Sequence, residues 1–237
     1  MQVGSSCLLP WWDTRQTGPQ YLVQFIRAVH LVIHRAKDDT LTTLSKQVPD
    51  AIANRSEEPN ASGYAQANNT SLTTFEFLEK NPLRAQRFAG AMSSTSLASL
   101  NALCNYFDWK SLPENSTVVD VGGSQGHVSF HLAEKFPHLR FVVQDLARVV
   151  EKAHQKIPAN LKGRVKFMAH DMFTRQPVRD ADVYLFRYVF HDWPDKYCLK
   201  ILRMLRSALK KGARVVIQDH ILREPGEASL LEEMQIR

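Results

Sequence analysis

The stretch Val118-Val119-Asp120-Val121-Gly122-Gly123-Ser124-Gln125-Gly126-His127 joins an apolar run to a glycine turn and then to a helix-forming segment. Beyond that helix, Phe141-Val142-Val143-Gln144-Asp145 is a second apolar run that ends in a carboxylate. Strand, glycine turn, helix and carboxylate-terminated strand make the front half of a nucleotide-binding βαβ unit. A dinucleotide fingerprint needs Gly-x-Gly-x-x-Gly, and Val121 stands at its first glycine position, so only Gly123 and Gly126 fit the frame. Close approach of a pyrophosphate is therefore poorly provided for. Asp120, immediately before the turn, would meet a phosphate badly and an ammonium or sulfonium well. Asp145 is placed to take both hydroxyls of a ribose. A cationic nucleoside without phosphates suits these residues better than NAD, and S-adenosylmethionine is such a molecule.

The elements that must position these residues follow from patterning. Strands are expected at about Val118 to Val121, Arg140 to Asp145, Val165 to Ala169, Val183 to Arg187 and Arg214 to Gln218, alternating with helices. Such alternation implies a parallel sheet covered by helices on both faces, an α/β fold of Rossmann-like type. Ligands of these sheets lie outside the carboxyl ends of the strands. That edge receives Asp171, Met172 and Phe173 after the third strand, with Asp171 placed for an adenine amino group and the other two as apolar walls. After the fourth strand it receives His191 and Asp192, and after the fifth Asp219. His191, with an ordinary pKa near 6.5, is the natural general base, and Asp219 would orient its ring. Asp192 either supports that pair or only caps the next helix.

The helix predicted over Asp195 to Lys211 puts Cys198, Ile201, Leu202, Leu205 and Leu209 on one face and is closed by Gly212. The first half reads as helical. Tyr21 to Ile33 carries one apolar stripe, and an irregular connection through Pro49, Pro59 and Gly63 follows. A helix over Leu72 to Leu78 is entered from Asn69, Thr70 or Ser71, and Asn81-Pro82 stops it. Phe88, Met92, Leu97 and Leu100 are then candidate core positions, Met92 also a candidate pocket wall. Trp109 and the Trp11-Trp12 pair read as packing rather than acceptor binding.

Composition excludes several classes. At 237 residues with 44% hydrophobic and 23% charged residues, the chain has the make-up of a globular protein with a full core. The net charge of +6 raises nucleic acid as a partner. The densest basic group, from Lys196 to Lys211, follows one helix and reads as a solvated face instead. Three dispersed cysteines (Cys7, Cys104, Cys198) have no metal-like spacing and fit a reducing compartment, so a cytoplasmic location is expected. No run is apolar enough to span a bilayer, and Met1 to Trp12 lacks the pattern of a leader.

The motifs, taken in order, resemble the plant-type (caffeate O-methyltransferase-like, class II) S-adenosylmethionine-dependent O-methyltransferases, in particular fungal members acting in secondary metabolism. The matching residues are Val118 through Gly126, Phe141 through Leu146, Phe167-Met168-Ala169-His170-Asp171-Met172-Phe173, Tyr188-Val189-Phe190-His191-Asp192-Trp193-Pro194-Asp195 and Gln218 through Leu222. Upstream, Phe75-Glu76-Phe77-Leu78 and Arg87 through Met92 extend the likeness. The resemblance implies His191 as catalytic base and Asp219 as the first of two flanking acids. It places cofactor contacts at Gly122, Asp145, Asp171, Met172 and Arg187, with Leu146, Gly123 and Gly126 in the same motifs. The acceptor it implies is the phenolic or enolic hydroxyl of a small aromatic metabolite, and the partner a second copy of the chain, if the helical region suffices.

The family continues past Arg237 with two more strands and a second acid, and it carries a longer amino-terminal helical domain. The chain is therefore expected to hold a reduced helical region over 1–110 and a Rossmann-like cofactor domain over 111–237, truncated so that its fifth strand is a bare edge. Two other readings stand beside the enzyme. One is a non-catalytic cofactor-binding or dimer-partner protein; the other, from the positive charge, is an RNA methyltransferase.

Overall fold

In a computed structural model, residues 56–94 and 97–219 are described, the side chains of 89–99 excepted. The helix expected over Tyr21 to Ile33, the Trp11-Trp12 pair, and the side chains of Met92 and Leu97 lie outside the described residues. Five strands, β1 (Thr117–Val121), β2 (Arg140–Asp145), β3 (Val165–Ala169), β4 (Val183–Arg187) and β5 (Arg214–Gln218), form one sheet in the order β3-β2-β1-β4-β5. Every pairing is parallel. The order reverses between β1 and β4, which makes their carboxyl ends the crevice of a doubly wound sheet.

Side-chain alternation builds two cores, one on each face. Val118, Phe141, Val143, Val183 and Leu185 join Leu132, Trp109 and Leu161 on one face. Val119, Val142, Tyr184 and Phe186 join Ile201 and Leu205 on the other. Trp109 is a packing residue, as expected, with its indole N–H donating to Leu103 O at 2.9 Å.

Before the sheet come α1 (Gly63–Ala67), α2 (Thr74–Lys80), α3 (Pro82–Ser94) and α4 (Leu97–Tyr106). The short helix α1 lies where an irregular connection was expected, its start capped by the Ser62 side chain. Helix α2 begins two residues later than expected because Thr73 and Glu76 close a reciprocal capping box. Pro82 opens α3, where a missing N–H costs nothing. Leu100 is buried, but Phe88 is 39% exposed and is not a core residue.

Within the sheet region, α5 (His127–Lys135) and α6 (Ala147–Val150) follow β1 and β2, and α7 (Asp195–Arg206) precedes β5. Helix α7 is shorter than its apolar pattern predicted. The Ala208 carbonyl accepts from Asp180 N–H at 2.9 Å and from the Tyr184 hydroxyl at 3.0 Å, so the chain is drawn off the helical path. Ile201 and Leu205 are buried, whereas Leu202 and Leu209 are exposed, contrary to the single buried face expected. Among the described residues β5 pairs with β4 alone, and its Val215 and Ile217 are exposed. No helix among the described residues is long and apolar enough to cross a membrane.

Candidate active site

The glycine turn is held from beneath by β2. Gly122 N–H and Gly123 N–H both donate to Gln144 O, at 2.8 and 3.0 Å. Gly122 has φ +76°, a left-handed conformation that glycine adopts without strain. Gly123 is there for space. A Cβ at this position would lie 2.7 Å from the Asp120 carboxyl carbon and 2.7 Å from Val143 Cγ1. A Cβ at Gly126, the residue capping the start of α5, would come equally close to the Phe167 ring. Gly123→Ala is expected to cost about 1–3 kcal/mol by overpacking. For a protein of this size that lowers the melting midpoint by roughly 3–10 °C; an unchanged melt would mean the turn is looser than described.

Asp145 ends β2 and closes the turn from the side. Its Oδ2 accepts from Ser124 N–H at 2.9 Å, and its Oδ1 from Leu146 N–H at 2.7 Å. Each oxygen keeps acceptor capacity for a further donor such as a ribose hydroxyl. Burial pushes the Asp145 carboxyl above the usual range, partly offset by those two backbone donors. Gln125 ties the turn to α6 by donating to Val149 O.

Asp120 departs from its expected exposure to a ligand cation. It is 2% exposed, lies under Gly123, and its Oδ2 accepts from Ser129 Oγ at 2.7 Å. Burial raises its pKa to about 6, with the Ser129 bond and the charge of Arg187 acting in the opposite sense. The side chain sits inward because β1 is the central strand and Ser129 of α5 reaches it from above. Asp120 thus underpins the turn from below.

After β3, Asp171 is exposed and its Oδ1 accepts from Phe173 N–H at 2.9 Å, forming a tight local turn. Met172 and Phe173 pack partly buried against the second core. Phe173 meets Trp193 edge-on at 4.6 Å, and Trp193 stacks on Phe75 at 5.7 Å. Gln176 fixes this loop from below through a reciprocal amide pair with Gln144, both bonds 2.8 Å.

The end of β4 brings the remaining groups together. Arg187 is largely buried, which lowers its pKa; its Nε donates to Gln218 Oε1 at 2.9 Å. His191 lies in a 3-10 turn, Phe190–Asp192. Its Nδ1 is 2.5 Å from Asp219 Oδ1, its backbone N–H donates to Asp219 Oδ2 at 3.1 Å, and its Nε2 is 3.4 Å from Asp192 Oδ1. The parallel pairing of Arg187 with Gln218 delivers Asp219 to His191 at the strand ends. Asp192 first, and then Asp219, hold the imidazolium and raise the His191 pKa to about 9 against the effect of burial.

All the residues expected along the carboxyl edge are on that edge, with Asp120 buried beneath it. Sequence reasoning gave no site role to Ser129 or Gln176, and none to Phe75 although it lies in the upstream likeness and in the helix expected there. The docking of the strap that carries Phe75 was also missed. Glu58 takes Lys196 and the Tyr197 hydroxyl at one end of this strap, while Arg148 bonds Phe75 O and pairs with Glu79 at the other. The Thr73-x-x-Glu76 cap was a legible signal for the strap's helix. Its docking partners lie too far away in sequence to leave one.

A family model, the O-methyltransferase domain, matches residues 45–236. This chain belongs to the O-methyltransferase family. A grayanic acid biosynthesis cluster O-methyltransferase from Cladonia grayi is 54% identical over 182 residues, covering 75% of this chain and 40% of the relative. The dual O-methyltransferase/FAD-dependent monooxygenase elcB of Phaeosphaeria nodorum is 44% identical over 191 residues, which is 77% of this chain and 20% of that protein. Among solved structures, LepI in complex with SAM superposes with a TM-score of 0.67 at 28% identity, over 91% of this chain and 56% of that one. This O-methyltransferase chain thus spans less than half the length of these curated relatives.

Proposed function

We propose that the chain transfers a methyl group from S-adenosylmethionine to a phenolic or enolic hydroxyl of a small aromatic metabolite. The observation that carries this reading is the His191–Asp219 pair, held at the same strand edge as the Asp145-anchored glycine turn. The turn fits the cofactor physically. Having no side chains at Gly122, Gly123 and Gly126, it lies close on Val189, Val143 and Phe167, and Asp145 beside it offers a carboxylate already oriented by backbone donors. Gly122, Gly123, Gly126, Asp145 and Leu146 would hold the ribose and methionyl portion. Asp171, Met172 and Phe173 would hold the adenine, with Arg187 and the buried Asp120 supporting the floor. When bound, the cofactor supplies an electrophilic methyl on a sulfonium. LepI, similar in fold and solved in complex with SAM, supports the choice of cofactor.

The chain's own part is proton removal and alignment. A phenol with pKa near 10 is mostly protonated at neutral pH, and His191 Nε2 takes that proton. Asp219 keeps the Nδ1 proton in place, so the tautomer with a free Nε2 is selected. Asp192 occupies Nε2 in the described structure, so the acceptor hydroxyl must take its place there. We place the protein in the cytoplasm as a homodimer acting on a small molecule rather than on nucleic acid.

Transfer of label from methyl-labelled S-adenosylmethionine to a panel of simple phenols tests the reading. Its failure in a protein that still binds S-adenosylhomocysteine would favour the non-catalytic alternative. The pH profile is a sharper check. With His191 protonated below about 9 in the free protein, kcat/KM should rise with pH up to about that value. Asp192→Asn removes the largest cause of the raised pKa, so the limb should move to lower pH. A flat profile between neutral pH and about pH 9 would remove His191 from the base role.

A further inference from the structure

Five non-glycine residues among those described have a positive φ: Asn69, Asn115, Ser124, Asp180 and Tyr188. The first four carry short polar side chains, which tolerate the left-handed region. Tyr188, at φ +53°, is bulky and aromatic, and there the conformation is an outlier that costs free energy. The backbone needs this turn. Tyr188 N–H donates to Gln218 O at 2.9 Å, and the next residue, Val189, is turned into the second core against Gly122. A glycine would make the same turn without strain. The strain is therefore connected with the ring, and the ring stands in a particular place. It is half-buried, the Arg187 guanidinium carbon lies 4.3 Å from its centroid, and the His191 imidazole lies 5.8 Å away, inclined at 41°. The ring therefore borders the imidazole on which the proposed base role rests.

We propose that Tyr188 is an acceptor-binding residue whose ring packs against the aromatic ring of the methyl acceptor while the hydroxyl meets His191. This rests on the methyl-transfer reading above and deepens it: the site selects planar aromatic hydroxyls over alicyclic enols. The phenol oxygen of Tyr188 is not required; the ring face is.

The test uses the full chain saturated with S-adenosylhomocysteine, with 2-naphthol as aromatic probe and 1,3-cyclohexanedione as enolic probe. Wild type should bind 2-naphthol measurably and at least several-fold more tightly than the dione. Tyr188→Gly removes ring and strain together. It should weaken 2-naphthol roughly tenfold, the usual scale of one aromatic pair. S-adenosylhomocysteine affinity should stay within about threefold, and the melting midpoint within about 4 °C of wild type or above it, since strain relief offsets lost packing. Tyr188→Phe should bind 2-naphthol like wild type. A Tyr188→Gly protein that melts far lower makes the ring a packing element and overturns the proposal. So does unchanged 2-naphthol binding in that variant, or no preference over the dione in wild type. Failure of wild type to bind S-adenosylhomocysteine is a different result, and it sinks the methyl-transfer reading itself.

Discussion

His191→Ala is expected to lower methyl transfer by at least ~10²–10⁴-fold, the contribution typical of a positioned general base. S-adenosylhomocysteine affinity should change little. The separation follows from the geometry: the imidazole is bonded to Asp219 and Asp192, whereas the glycine turn is bonded to Gln144 and Asp145. The loss should be greatest for unactivated phenols, whose pKa near 10 leaves little anion at neutral pH. A nitrophenol, already ionised there, should lose much less. If cofactor affinity falls in parallel with turnover, the histidine is holding the fold of the site and is not its base. Parallel calorimetry and label transfer on one preparation distinguish the two.

Asp145→Ala is expected to weaken S-adenosylhomocysteine by roughly a hundredfold or more. Two hydrogen bonds to a charged acceptor are each worth about 1.5–3 kcal/mol, and tenfold in affinity corresponds to about 1.4 kcal/mol. The substitution also frees Ser124 N–H and Leu146 N–H, so the turn and the start of α6 lose their common anchor. Because burial raises the Asp145 pKa, wild-type affinity should fall on acidification from a higher pH than an ordinary aspartate would dictate. The sign is that of a carboxylate needed in its charged form: protonation removes the acceptor. Calorimetric titration across the acidic range checks both the size and the direction. Cofactor binding by the Ala variant at wild-type strength would mean the ribose is held elsewhere.

Much of this site was legible in the chain, and the reasons can be named. Four strands run over the residues that alternation predicted, and β1 begins one residue earlier, because a buried parallel strand is a short apolar run bounded by turn residues. The glycine turn was legible because its spacing is dictated by sterics that only glycine satisfies. The pairing of His191 with Asp219 was legible because both follow strands whose carboxyl ends share an edge.

The errors are equally specific. Helix α7 was extended past Arg206 because its apolar period continues through Leu209, while the actual stop is made by Tyr184 and Asp180, from another part of the chain. Phe88 was placed in the core because periodicity marks a face without saying what covers it. Asp120 is a separate case: it was expected to face a ligand cation, and the structure shows its carboxylate buried on the central strand and bonded to Ser129.

By itself, then, the sequence determined the elements, the glycine turn and the types of chemical group at each strand end, since these follow from spacing along a few residues. Tertiary structure alone decided which of those groups stand open at the strand edge and which lie buried beneath it. It also decided that Phe75 and Glu58 close a strap onto Trp193, Lys196 and Tyr197, and that Tyr188 stands strained between Arg187 and His191. Those contacts depend on strand order and helix placement, which bring together residues that no local period connects.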